Sequence, residues 1–508
     1  MRLLLPLVIG LGLDSPAIAQ DANPLSAIDW LSQSVEQTDT GALTVTGPTL
    51  SEPATSTNAD VSRVTVTALD APSPDPIGLL PPEVTGLPRD LWSKSNSATL
   101  IGLMQDARLD TLPAIHDLMM TLLLAEADPP LGAGPDGGLF LARIDKLLDI
   151  GALDPALALL EQVDAETPAL FRRLFDVTLL TGAEDDACDV MRATPSVAPT
   201  FPARIFCLAR GGDWTAAALT LNTHRVLGDI TPQEEALISR FLDPELYEDE
   251  APLPVPDRIS PLVFRMHEAI GEPLPTTRLP NAFAHADLRT TTGWKSQLEA
   301  AERLARNGAV SENILHGAYL AHQAAASGGV WDRVAIIKRL DAAILAADAS
   351  DIAKHLPQAW AAMASVKLEM PFARLYAPAL ATIALSGDAA DITLTLGLLS
   401  HDYELAALDA APSFLTNLAA GAPTAPQNPV ETAIFAAFTD ATPAPELEAL
   451  ARNGNLGEAL LQSITTFNAG FAGDPVALTD ALAFWRFVGL EDVARKAALQ
   501  ILILDRTS

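Results

Sequence analysis

Aromatic, cysteine and basic residues are all scarce in this 508-residue sequence. Aromatic side chains make up 5% of it, and β-branched and aromatic runs are too few for a β-sandwich or a parallel sheet. Lys and Arg number 32 against 64 Asp and Glu, so the formal net charge is −32. Nucleic acid and anionic membrane surfaces should repel such a chain, whereas a basic partner is permitted.

Motifs for catalysis and metal binding are missing or incomplete. His267-Glu268 begins a zinc-protease pattern, but Gly271 stands where the second histidine is needed. His316 and His322 are six residues apart and face different sides of a helix, which disfavours a shared metal. The Glu-Ser pair typical of lytic transglycosylases does not occur. We therefore predict no catalytic, cofactor-binding or metal-ligating residue.

Alanine and leucine are abundant, and the apolar residues recur at helix spacing, which predicts an all-α fold. Within it, a glycine followed five residues later by an alanine recurs at intervals of 31, 30 and, near the C-terminus, 35 residues. Glycine can close a tight turn after one helix, and a small residue in the next lets the two helices approach. These repeat-packing pairs are Gly151 with Ala156, Gly182 with Ala187, Gly212 with Ala217, Gly454 with Ala459, and Gly489 with Ala494.

The first of these units resembles the second half of a tetratricopeptide repeat. The residues that carry the resemblance are Gly151, Leu153, Ala156, Leu160, Val163 and Pro168. The resemblance covers roughly residues 139–225 and 450–504, and it implies an α-solenoid of helical hairpins, an architecture typical of interaction scaffolds. The chain also resembles exported bacterial envelope proteins that have no assigned activity.

The N-terminus is similar to a secretory signal peptide over residues 1–19. Arg2 precedes an apolar stretch from Leu3 to Leu13, and Ala17-Ile18-Ala19 forms a small-residue cleavage pattern. The stretch is too short for a membrane span. We expect an exported, periplasmic protein with no stable membrane insertion after cleavage; the alternative is an uncleaved helix of a cytoplasmic protein.

The two cysteines, Cys188 and Cys207, lie symmetrically about a proline-rich connection at 194–202. If antiparallel helices flank this connection, both sulfur atoms are equally far from the turn and face each other. The spacing therefore predicts a disulfide, which suits an oxidising compartment. Two buried free thiols are the alternative.

The rest of the chain divides by composition. A short amphipathic helix is expected at 20–36, with a docking face formed by Leu25, Ile28, Trp30, Leu31 and Val35. A frayed terminus is the alternative for this helix. A Thr/Ser/Pro-rich disordered linker (37–75) then precedes an N-terminal helical repeat lobe (76–246), a Pro-rich connecting region with a short helix (247–292) and a C-terminal helical lobe (293–508).

These observations favour a non-catalytic helical-repeat scaffold that binds another envelope protein or a peptide. The first alternative is a helical-toroid polysaccharide lyase or glycosidase that uses paired carboxylates, since acidic residues are abundant. Against it, the aromatic residues that stack on sugar rings form no cluster in the sequence. The second alternative is a structural or stress-related envelope protein.

Overall fold

The computed structural model describes residues 73–108, 111–163, 167–324 and 326–504. Within these ranges the chain is helical and has no β-sheet; two isolated bridges pair Leu80 with Ala125 and Asn96 with Leu131. The predicted all-α fold is confirmed. No helix in the described ranges is long and apolar enough to cross a membrane.

The described helices are numbered in chain order. Those before Ser260 are α1 (Pro82–Thr85), α2 (Ser97–Asp106), α3 (Pro113–Leu124), α4 (Gly138–Ile150), α5 (Leu153–Leu160), α6 (Pro168–Thr181), α7 (Glu184–Ala193), α8 (Phe201–Arg210), α9 (Trp214–Leu227) and α10 (Pro232–Leu242). Those after it are α11 (Pro261–Ala269), α12 (Ala284–Leu288), α13 (Trp294–Arg306), α14 (Glu312–Leu320), α15 (Val330–Leu345), α16 (Ala349–Ala364), α17 (Glu369–Leu380), α18 (Asp388–Leu399), α19 (Tyr403–Leu408), α20 (Phe414–Ala419), α21 (Pro429–Thr439), α22 (Pro445–Arg452), α23 (Leu456–Phe471), α24 (Pro475–Phe487) and α25 (Glu491–Ile503). Short 3₁₀ helices occupy Pro195–Val197, Pro244–Tyr247, Thr276–Arg278 and Asn281–Phe283.

Several helices begin with the same two-residue signature, a polar residue followed by proline. The polar side chain accepts a hydrogen bond from a backbone N–H of the first turn, and proline fits the first helical position because its missing N–H needs no partner there. The signature occurs at Thr167-Pro168, Thr231-Pro232, Ser260-Pro261, Asn428-Pro429 and Asp474-Pro475.

The largest hydrophobic core joins the two ends of the described chain. Helix α25 packs against α3, and α23 packs against α2. The buried side chain of Gln500 on α25 accepts a hydrogen bond of 2.8 Å from the backbone N–H of Ala114 on α3. This core takes residues from both 76–246 and 293–504, so the first and last helices stabilise one another.

A second, smaller core lies within residues 171–266 and surrounds the two cysteines. Its aromatic members include Phe175 and Phe206, whose rings meet edge-to-face with centroids 6.3 Å apart. Helices α6 and α11 pack against each other, and both supply residues to the two cores. The seam between the cores therefore runs along α6 and α11.

Candidate functional site

The repeat-packing glycines all lie at turns with left-handed backbone geometry. Their φ angles fall between 83° and 92°, a region in which other residues are strained. The alanines that follow them are at most 1% exposed. The structure therefore shows five turn glycines (Gly151, Gly182, Gly212, Gly454 and Gly489) and five buried alanines (Ala156, Ala187, Ala217, Ala459 and Ala494). A Cβ atom added to Gly212 or Gly489 would meet nothing within 4 Å, so at these two positions the backbone angle and not a close approach favours glycine.

The predicted disulfide between Cys188 and Cys207 is confirmed. Cys188 lies on α7 and Cys207 on α8, the two helices that flank the proline-rich connection, and their Cα atoms are 5.0 Å apart. Both residues are buried in the second core. The bond therefore holds together the middle of that core.

The predicted docking helix cannot be placed. Leu25, Ile28, Trp30, Leu31 and Val35 lie outside the described residues, as does the 1–19 segment.

The two histidines that the sequence disfavours as a metal pair have separate partners. Nε2 of His316 lies 2.9 Å from Oδ2 of Asp341, whereas the His322 ring meets Trp294 edge-to-face with centroids 5.3 Å apart. Each imidazole is thus engaged by a different neighbour.

Ion pairs cross the seam between the two cores and converge on α12. Arg265 on α11 donates to the buried Glu184 of α7 at 2.8 Å and to Glu268 at 2.7 Å. Glu268 also accepts two hydrogen bonds, of 2.6 and 2.8 Å, from Arg289 at the end of α12. Burial alone would raise the pKa of Glu268, but the hydrogen bonds and charges of Arg289 and Arg265 outweigh it and lower this pKa.

The short helix α12 is fixed at both ends. At its start, Nε2 of His285 donates to the carbonyl oxygen of Gly151 at 2.6 Å, so the turn between α4 and α5 anchors it. Burial lowers the pKa of His285, although the hydrogen bond to Gly151 and the charge of Asp154 oppose this shift. At its end, Arg289 is held by Glu268. Asp287 lies between these two anchors and is therefore rigidly placed.

Asp287 lines a cleft with a volume of about 170 Å³, which is smaller than a typical pocket for a whole small-molecule ligand. We call it the Asp287 cleft. Its walls come from the loop before and within the 276–278 turn, from α12 and from one face of α13. They consist of Leu274, Pro275, Thr276, Thr277, Ala284, Asp287, Ser296, Glu299, Ala300 and Arg303.

Three side chains lock the walls of this cleft together. The Thr276 hydroxyl donates to Oδ2 of Asp287 in a short hydrogen bond. Arg303 donates to the carbonyl oxygens of Thr276, at 2.8 Å, and Leu279, and to Oδ1 of Asn281 at 3.0 Å. The loop wall is thus attached to both α12 and α13, and Thr276, Asp287 and Arg303 are preorganised.

Burial raises the pKa of Asp287 above its ordinary value. The hydrogen bond from Thr276 and the charges of Arg289 and Arg303 oppose this shift, whereas the nearby Glu268 adds to it. Glu299, the second carboxylate of the cleft, is about half exposed and lies 3.6 Å from the ammonium of Lys295. The cleft therefore holds one half-buried and one rim carboxylate.

No motif in the sequence predicts the Asp287 cleft. Ser296, Glu299, Ala300 and Arg303 have the spacing i, i+3, i+4, i+7, which places them on one face of α13. This stripe of small and polar residues is the sequence pattern from which the cleft wall could have been predicted. It is hard to recognise because the opposite face of the same helix carries the stronger apolar pattern.

Comparison with protein-family models, curated proteins and solved structures gives no match to this chain. The tetratricopeptide-like repeat type therefore stays a prediction from the residues alone. Function has to be inferred from the geometry, burial and charges of the described residues.

Proposed function

We propose that this protein is an exported, periplasmic helical scaffold that binds a segment of another envelope protein or a peptide without catalysing a reaction on it. The Asp287 cleft is the observation that carries the proposal. Thr276, Asp287 and Arg303 are fixed by the protein's own hydrogen bonds, so little ordering of these groups is needed when a ligand group enters. Recesses of this kind, held by a rigid helical framework, suit recognition of a protruding side chain.

The charge of the chain supports a protein or peptide partner over nucleic acid. A formal net charge of −32 favours approach of cationic segments and opposes approach of polyanions. The cleft follows the same trend because its two carboxylates, Asp287 and Glu299, outnumber its single cationic side chain, Arg303.

A glycan-active enzyme is the second candidate, and the same two carboxylates favour it. Burial raises the pKa of Asp287, as a general acid requires, and Glu299 could serve as the second carboxylate. The lining contains no aromatic side chain on which a sugar ring could stack. We therefore rank this candidate below the scaffold.

Site-specific photo-crosslinking in intact cells tests the proposal. A photoreactive amino acid at position 296, on the cleft wall, should capture the same envelope protein in repeated experiments. The matched control places it at position 215, an exposed hydroxyl residue near the start of α9. Identical adducts from both positions would contradict a specific partner at the cleft.

A panel of envelope polysaccharides, incubated with the purified protein, separates the two candidates. Turnover that is lost in both Asp287→Asn and Glu299→Gln would favour the enzyme. Capture at position 296 without any turnover favours the scaffold.

A further inference from the structure

The Asp287 cleft combines an apolar lining with hydrogen-bond acceptors. Leu274, Pro275, Ala284 and Ala300 supply the apolar part. The two carboxylates and three hydroxyl groups, from Thr276, Thr277 and Ser296, supply acceptors. A ligand group that fits both parts has an aliphatic stem and a tip rich in donors.

The one cationic side chain that lines the cleft, Arg303, uses its N–H donors for contacts within the protein. Nε, Nη1 and Nη2 of Arg303 donate to acceptors in the loop before α12, on Asn281, Thr276 and Leu279 respectively. Arg303 therefore acts mainly as a brace for the loop. The charge left to meet a ligand is that of the carboxylates.

We propose that the Asp287 cleft takes the side-chain ammonium of a lysine on the bound partner segment. This inference rests on the proposed function, since it names the group by which the partner is recognised. The four-carbon stem of lysine would contact the apolar lining, and its three N–H donors would meet Asp287, Glu299 and a hydroxyl group.

The small size of the cleft favours lysine over arginine. Its volume is about 170 Å³, and an ammonium is a compact point charge, whereas a guanidinium is a wider planar group. Oδ2 of Asp287 accepts the Thr276 hydroxyl and keeps a second lone pair for a ligand donor.

An ammonium group of the protein already pairs with a carboxylate at the rim of the cleft. The ammonium of Lys295 lies 3.6 Å from Oε1 of Glu299, and both side chains are about half exposed or more. Exposed ion pairs of this kind contribute little free energy. An incoming lysine can therefore replace Lys295 at Glu299 at small cost.

The test uses the full-length mature protein and capped pentapeptides of glycine with one central lysine. Matched peptides carry arginine, acetyl-lysine or norleucine at the centre. We expect the lysine peptide to bind with a Kd of about 1 mM or tighter, and the acetyl-lysine and norleucine peptides to bind at least about tenfold more weakly. Arginine should lie between them. Equal binding of lysine and norleucine peptides, or no binding of the lysine peptide, would overturn the assignment.

Three variants locate the binding. Asp287→Asn removes the charge at constant size, and Ser296→Trp fills the cleft from an exposed position. Each should weaken the lysine peptide by about fivefold or more, whereas Thr215→Trp, a matched change on α9, should have no effect. Affinity that is unchanged in both cleft variants would place the lysine elsewhere.

Free 1,5-diaminopentane separates the two sources of an alkylammonium group. Competition with the lysine peptide supports a shared ammonium site, whereas diamine binding without any peptide binding overturns the partner-lysine assignment. The photo-crosslinking result at position 296 is independent. A captured partner with no lysine preference leaves the scaffold function standing and removes only this inference.

Discussion

The indole of Trp92 lies directly against the backbone of Gly457, so the start of the described chain contacts a helix near its end. A Cβ atom added to Gly457 would fall 2.3 Å from Cε3 of Trp92 and 2.7 Å from the carbonyl oxygen of Leu91. The Gly457 N–H donates to that same carbonyl at 3.1 Å. Trp92 is fully buried. Glycine is therefore required at position 457 because Trp92 and Leu91 lie so close to its backbone, and not because of an unusual backbone angle.

Gly457→Ala should lower the free energy of unfolding by about 1–3 kcal/mol, because the added methyl group meets an indole and a backbone carbonyl that cannot both move away. The matched control is Gly102→Ala on α2, where a Cβ meets nothing within 4 Å. There the better helix propensity of alanine should stabilise the protein by up to about 1 kcal/mol. Urea denaturation measures both. Equal stability of Gly457→Ala and wild type would contradict the contact.

Removal of the disulfide should destabilise the second core. The bond links residues 19 apart in sequence, and the loop-entropy model gives a contribution of about 3 kcal/mol for a loop of that size. We expect the double variant Cys188→Ala, Cys207→Ala to lose about this amount in chemical denaturation. Reductant should lower the stability of the wild type and leave the variant unchanged. Two thiols that can be alkylated in the native protein would refute the bond.

Local patterns made part of this molecule predictable. The Cys188–Cys207 disulfide could be predicted because both cysteines lie equally far in sequence from one connection between two helices. Contacts between residues far apart in sequence produce no comparable local pattern from which they could be predicted. Trp92 and Gly457 meet only after the two ends of the chain pack together. The Asp287 cleft likewise depends on a loop whose position is set by hydrogen bonds from Arg303, not by its own sequence pattern.

Arg143 should be among the most sensitive positions of the main core. Its guanidinium is fully buried and donates to four backbone carbonyl oxygens at 2.7 to 3.2 Å, those of Leu123, Ala125, Asp75 and Ile77. Burial lowers the pKa of Arg143 to about 10, although Asp75 opposes the shift, so the group remains charged at neutral pH. It therefore ties the 75–77 segment to the end of α3.

Arg143→Met should cost about 3–5 kcal/mol in urea denaturation, since it leaves buried carbonyl groups without donors. Arg143→Lys should recover little, because an ammonium cannot reach both pairs of carbonyl groups. Arg225→Met is the control: Arg225 is half exposed and pairs with Glu235 at 3.2 Å, so its loss should cost less than about 1 kcal/mol. Similar losses for both methionine variants would contradict this account.

Asp176 on α6 should make stability depend on pH. Its side chain is buried, and no hydrogen-bond donor among the described residues reaches Oδ2; the nearest charge there is Nε of Arg172, at 3.6 Å. Burial raises the pKa of Asp176 to about 7, although Arg172 opposes the shift. In the unfolded chain the pKa of an aspartate is about 3.9. Between these values the folded protein holds a proton that the unfolded chain releases.

The free energy of unfolding of the wild type should therefore fall as pH rises from about 4 to about 7, and this contribution should level off above pH 8. Asp176→Asn never ionises, so its stability relative to wild type should grow over the same window by on the order of 4 kcal/mol. Urea denaturation at intervals of one pH unit measures the difference. Asp257→Asn, in an exposed loop, is the control and should show a constant difference. If the Asp176→Asn difference is also constant from pH 4 to pH 8, the buried carboxyl does not hold its proton and the raised pKa is wrong.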